Sequence, residues 1–157
     1  MTTNPLSVLF RKSLSTDLSS SIASTGLLLL RGVTGILIFY IHGWHKLVGG
    51  IAWIRQGTPW PLMEDIVGMH LPMPAASAFA ATIVQFLCAP MVALGLFTRV
   101  NAALLTGTLS VAILQNLLAA RDPQVAFLYT LNVAAITLLG GGRFSLDAML
   151  FRRVALE

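Results

Sequence analysis

Charge is what this sequence has least of. Ten Lys and Arg and six Asp and Glu among 157 residues make up 10% of the chain, against roughly 25% in soluble domains. So few charges cannot cover a water-facing surface, and 56% hydrophobic residues point to lipid as the surrounding solvent and to a single domain. Cysteine is almost missing as well. Cys88 stands alone inside an apolar run, which excludes an internal disulfide, a C-x-x-C redox pair and a C-x-x-C-H haem site, and reads as a small buried hydrophobe. None of the six acids falls within a long apolar stretch, so a continuous ion path, and with it a small transporter or channel, is hard to build. The basic residues lie between and beyond the apolar stretches instead of sharing a face, and no nucleic-acid site is expected from them. No small-x-small site follows the first apolar stretch, so no cleaved signal peptide is expected. There is no internal repeat or low-complexity tract.

What is there is a set of four apolar stretches, approximately 22–44, 75–98, 100–119 and 124–140, each near the ~20 residues that a helix needs to cross a hydrocarbon core. The second and third are expected to meet at a tight turn around Arg99 and Asn101. The third and fourth meet at Ala120-Arg121-Asp122-Pro123, where a proline suits a helix start. The expected fold is all-α: an integral membrane four-helix antiparallel bundle with interfacial segments in the first loop and at the C-terminus. Lys and Arg counts orient it. Arg11, Lys12, Arg99, Arg143, Arg152 and Arg153 fall on one side, and Lys46, Arg55 and Arg121 on the other, which puts both termini in the cytoplasm of a bacterial inner membrane.

The first loop, 45–74, then faces the periplasm. Its Trp53 and Trp60, with Ile51, Ile54, Leu62, Ile66, Val67 and Met69, alternate with Arg55, Glu64, Asp65 and His70. That pattern suits short amphipathic helices in the interface with tryptophans at headgroup level, forming either a plain cap or a lid over a ligand pocket. After Gly140-Gly141-Gly142, Ser145 is placed to cap a last helix with Asp147 in its first turn, and the tail 143–157 reads as a cytoplasmic interfacial segment.

Polar residues at membrane depth are costly unless paired, so they mark candidate sites. Arg31, in the first apolar stretch, must snorkel, bind backbone carbonyls, hold an anionic ligand or lipid, or reach an acid at the membrane edge. Asp147 is the acid on its side. A second cluster is His42, Trp44, His45 and Lys46 at the other end of that stretch. His42 and Lys46 share a helix face, suited to hydrogen bonding, proton handling or a quinone carbonyl. His42 and His45 supply half a tetrahedral metal site, which His70 would extend to three ligands, so metal is a weak alternative there. Gln85 forms a third feature. Pro90 cannot donate to the carbonyl of Phe86, which leaves polar backbone beside the Gln85 amide. Ala103 and Gly107 read as small residues for close helix approach, and Gln115 and Asn116 as interhelical hydrogen-bonding residues.

Five stretches in order carry a resemblance: Leu-Leu-Leu-Leu-Arg at 27–31, His-Gly-Trp-His-Lys-Leu at 42–47 with Gly49-Gly50, Leu-Pro-Met-Pro at 71–74, Leu-Gly-Leu-Phe-Thr-Arg at 94–99, and Gly-Gly-Gly-Arg-Phe-Ser-Leu-Asp at 140–147. From about Leu27 to Leu150 the chain resembles the DoxX family of small four-helix membrane proteins, named for a subunit of a thiosulfate:quinone oxidoreductase. The resemblance singles out Arg31, His42, Gly43, Lys46, Arg99, Ser145 and Asp147. It departs at Gln85, where the family pattern often has Glu, and an amide there removes a proton acceptor. It implies a membrane subunit of a quinone-linked redox complex that anchors membrane or periplasmic partners, contacts lipid, and binds a quinone or another hydrophobic ligand. Homo-oligomerisation stays open. Chemistry would come from the partner or ligand rather than from the chain alone. A non-catalytic structural subunit or assembly factor is the alternative.

Overall fold

A computed structural model describes residues 21–154, with side chains as far as Leu150. Arg11 and Lys12, and the side chains of Arg152 and Arg153, lie outside the described residues. All regular structure among those described is helical, with no strand. Helix α1 is Ser21–Gln56, α2 Pro61–Gly68, α3 Pro74–Leu94, α4 Thr98–Leu118, α5 Gln124–Leu139 and α6 Leu146–Val154. Helices α1, α3 and α4 are long and apolar enough to cross a membrane, and α5 is a shorter apolar helix. Leu29, Val33 and Ile36 on α1, Leu104 and Val111 on α4, and Leu128 and Leu131 on α5 all face outward. Such a surface is stable only against lipid or another protein.

The helix ends differ from the sequence boundaries in two places. Helix α1 continues for twelve residues beyond Trp44, because no proline interrupts 45–56 and the first break is Gly57, in the left-handed region at φ 65°. Helix α3 stops at Leu94, since Gly95 turns the chain at φ 76°. The turn between α3 and α4 is therefore Gly95–Phe97, and Arg99 and Asn101 belong to the first turns of α4. Asn101 still serves the turn: its Nδ2 donates to the carbonyls of Leu96 at 2.8 Å and Phe97 at 3.2 Å.

Both α1 and α3 contain a π-helical segment, Ile38–Trp44 and Val84–Cys88. The two segments pack on each other. Wider turns of this kind leave carbonyls less tightly engaged and recur at functional sites. The one in α3 ends two residues before Pro90, which has no N–H to give to the preceding turn. Close approach of the two helices depends on glycine. A Cβ on Gly43 would sit 3.0 Å from the Gln85 carbonyl oxygen, and one on Gly35 would sit 2.5 Å from that of Ala89.

Helix α4 packs extensively on α5, and α1 on the last turns of α3. Ile38, Ala89, Val92, Ala102, Leu105, Leu109, Val133 and Ile136 form the main core, with Cys88 at its edge. A smaller core joins α2 to α3 through Trp60, Leu62, Ile66 and Ala78. Trp60 is only 2% exposed, so its ring is packed inside the protein instead of lying on the surface of the loop. Its ring packs 4.9 Å from Phe79 and 6.2 Å from Trp53, over the gap left by Gly49 and Gly50. Burying a large aromatic against other rings outweighs leaving it at the surface.

Candidate ligand site

The polar residues singled out by the sequence gather at two opposite ends of α1. At one end, Arg31 is 1% exposed. Its Nη2 donates to the Phe144 carbonyl at 2.6 Å, while Nε and Nη1 have no partner. No ion pair joins it to Asp147 among the described residues. The Asp147 carboxylate accepts instead from the Phe97 N–H at 2.7 Å, the Thr98 N–H at 2.9 Å and the Thr98 hydroxyl at 2.8 Å. It thus caps the start of α4, where free N–H groups and the helix dipole favour a negative charge. Burial raises the pKa of Asp147, but the Thr98 and Phe97 hydrogen bonds and the nearby Arg31 charge outweigh that and hold it below the ordinary carboxylate value.

Ser145 caps α6, its Oγ accepting from the Ala148 N–H at 3.1 Å and donating to the Gly142 carbonyl at 2.8 Å. Arg99 lies exposed near the end of α5, 3.5 Å from the Leu138 carbonyl. This end joins helices.

The other end holds open space. A cavity of about 460 Å³ lies between α3 and α4 under α2, and a second of about 200 Å³ lies between α1, α4 and α5. Lys46, Gln85, Ala112 and Gln115 line both. Gln85 is 1% exposed and its Oε1 has no partner. His42 faces the smaller cavity, its ring edge-on to Tyr129 at 5.6 Å. The sequence grouped Trp44 and His45 with these residues, but neither lines these two cavities: Trp44 lies half exposed beside Phe86, and His45 Nδ1 is 3.0 Å from the Tyr40 carbonyl. Among the described residues no three His, Cys, Asp or Glu converge on a metal position.

Gly107 and Ala103 do not bring helices together. Both line the larger cavity, and a Cβ on Gly107 would meet nothing within 4 Å. Their small size leaves space unfilled instead of closing it. Gln115 and Asn116 also take a part in the cavity walls. Asp122 and Tyr129 are residues the sequence reading did not pick for the site. For Tyr129 the signal was helical spacing, since Val125, Ala126 and Tyr129 share a face of α5; Asp122 precedes that helix and accepts from the Gln124 N–H at 2.8 Å.

Helix α2 roofs the larger cavity with Leu62 and Ile66. Asp65 fastens it, accepting from Gln115 Nε2 and pairing with Arg121 Nη2 at 2.8 Å. The Arg121 side chain is 48% exposed, so Asp65→Asn should lower stability by only about 0.5–1 kcal/mol. Its effect should be local: faster hydrogen exchange in Pro61–Gly68, with α4 unchanged.

The model of the DoxX family matches residues 26–119, more than half the chain. The chain belongs to the DoxX family. No curated protein and no solved structure matches it. The DoxX match contains Arg31, both π segments, Lys46, Gln85 and Gln115, and so most of both cavity walls. It ends before α5 and α6, which leaves Tyr129, Ser145 and Asp147 beyond the matched DoxX region.

Proposed function

We propose that this DoxX-family membrane protein is a subunit of a quinone-linked oxidoreductase complex, anchoring partner subunits and holding a quinone or other hydrophobic ligand in the cavities bordered by His42, Lys46 and Gln85. One observation carries the ligand part of this reading. Lys46 and the orphaned Gln85 amide converge on space walled mainly by apolar side chains, the usual composition of a small-molecule site. Redox association is what membership of the family suggests, and the chemistry belongs to the partner or ligand.

In this reading α1, α3, α4 and α5 form an antiparallel bundle in a bacterial inner membrane, with both termini in the cytoplasm. The excess of Lys and Arg on the Arg31 side supports that orientation. Helices α2 and α6 lie at opposite interfaces, α2 over the ligand on the periplasmic side. A structural subunit or assembly factor is the second reading, favoured by the Arg31 end, where Asp147, Thr98 and Ser145 serve only to join the chain's own segments.

Purification of the tagged protein from its native membrane in a mild detergent, with mass spectrometry of co-purifying proteins and lipids, separates the two. A redox partner or one quinone per chain, the quinone lost in Gly107→Leu, is the expected result. A stable complex with neither redox protein nor quinone would make the structural reading the correct one.

A further inference from the structure

Three polar groups on the wall of the larger cavity are already engaged. Ser77 Oγ donates to the Pro72 carbonyl at 3.1 Å, Thr108 Oγ1 to the Leu104 carbonyl at 2.9 Å, and Gln115 Nε2 to Asp65. Two of the groups left over are complementary. The Gln85 Oε1 has no donor, and the Lys46 ammonium makes no ion pair among the described residues. One is an acceptor in need of a proton donor, and the other is a donor in need of a lone pair.

A buried acceptor without a donor is destabilising, and apolar contact alone does not relieve it. Within the bilayer, water is not there to be recruited as freely as at a soluble surface. A hydroxyl satisfies both groups at once, since its O–H donates while its lone pairs accept. An ether or carbonyl oxygen can accept from Lys46 but leaves Oε1 as it was. The rest of the cavity is mainly apolar, and the small Gly107 and Ala103 give an apolar body room between α3 and α4. The π segment Val84–Cys88 carries Gln85 itself, so the backbone irregularity and the unsatisfied amide coincide.

We infer that the cavity bordered by Lys46 and Gln85 selects amphiphiles with a hydroxyl group on the head, the hydroxyl donating to Gln85 Oε1 and accepting from Lys46. This rests on the ligand-binding reading above and sharpens it: of a quinone couple, the hydroquinone is the form bound. A long-chain alcohol carries the same hydroxyl on a linear body.

Binding of para-nonylphenol, its methyl ether and hexadecanol to the full chain in lipid nanodiscs tests this by titration calorimetry. The phenol should bind at least about tenfold tighter than its ether, the ratio expected when one buried acceptor goes unmatched. Gln85→Leu should bring the phenol down to the level of the ether, and Gly107→Leu should weaken both by filling the space for the body. The tighter of the phenol and the alcohol identifies which body the cavity fits. Equal affinity of phenol and ether for the unaltered protein would overturn the selectivity while leaving a ligand site in place, as would a preference that survives Gln85→Leu. Binding of none of the three probes would remove the ligand site as well. If Gln85→Leu does not fold, the phenol-to-ether ratio of the unaltered chain and the Gly107→Leu result still decide the matter.

Discussion

Gly95→Ala should prevent the chain from reaching its folded state, with a loss of about 3 kcal/mol or more. The residue turns the chain out of α3 at φ 76°, a conformation that side chains with a Cβ rarely adopt. Space is shorter still. A methyl group there would collide with Arg31 Nη1 and lie 2.6 Å from the Ser145 Cβ. Arg31 is held by the Phe144 carbonyl and Ser145 by its cap, so neither can retreat without breaking a hydrogen bond. The measurement is thermal unfolding in detergent followed by circular dichroism. Unfolding within about 2 °C of the unaltered protein would mean that Gly95 is not pinned between these groups.

Asp147→Ala should be the next most damaging change, at about 2–4 kcal/mol, since it leaves three donors at the start of α4 without their acceptor and removes the negative charge that acts on Arg31. Phe97 has a positive φ of 44°, and its N–H is held by the same carboxylate, so the turn loses its clamp together with the cap. The effect should depend on pH with a definite sign. The folded-state pKa of Asp147 is held below its unfolded value, which is about 3.9. Its stabilisation is therefore fully present above that value and is lost as the pH falls through the lowered folded-state pKa. Melting of the unaltered protein and of Asp147→Asn across this range should show the gap between them narrowing toward the acid end. A gap independent of pH would mean that the charge of Asp147 is not what stabilises the turn.

Composition and run length were enough to read an all-helical membrane protein, because lipid demands long uninterrupted apolar helices and little else satisfies the backbone. Helix ends were less legible. The reach of α1 to Gln56 follows from the absence of proline in 45–56 and the break at Gly57, but the alternation of tryptophan and charge there reads equally as a separate interfacial helix. Gly95 was visible as a possible helix end, but the apolar residues after it extended the run. Of the site, His42, Lys46 and Gln85 could be picked out as polar residues in apolar surroundings. The pairing of Arg31 with Asp147 could not be resolved, since a carboxylate near both a cation and a helix start can serve either, and only the geometry of the turn decides. The roles of Gly107 and Ala103 were read in reverse: a small residue can admit a neighbouring helix or leave a void, and composition does not distinguish them.

The π segment in α1 also affects how the protein can change. It lies between Arg31 and Lys46, so the two ends of the helix are joined through a stretch already wound out of α-helical register. Losing one residue there would turn everything beyond it by about 100°, carrying Lys46 away from Gln85 while leaving the contacts of Arg31 untouched. A change of length at Ile38–Trp44 would thus re-aim the cavity-facing half of the helix and keep the half that holds the fold.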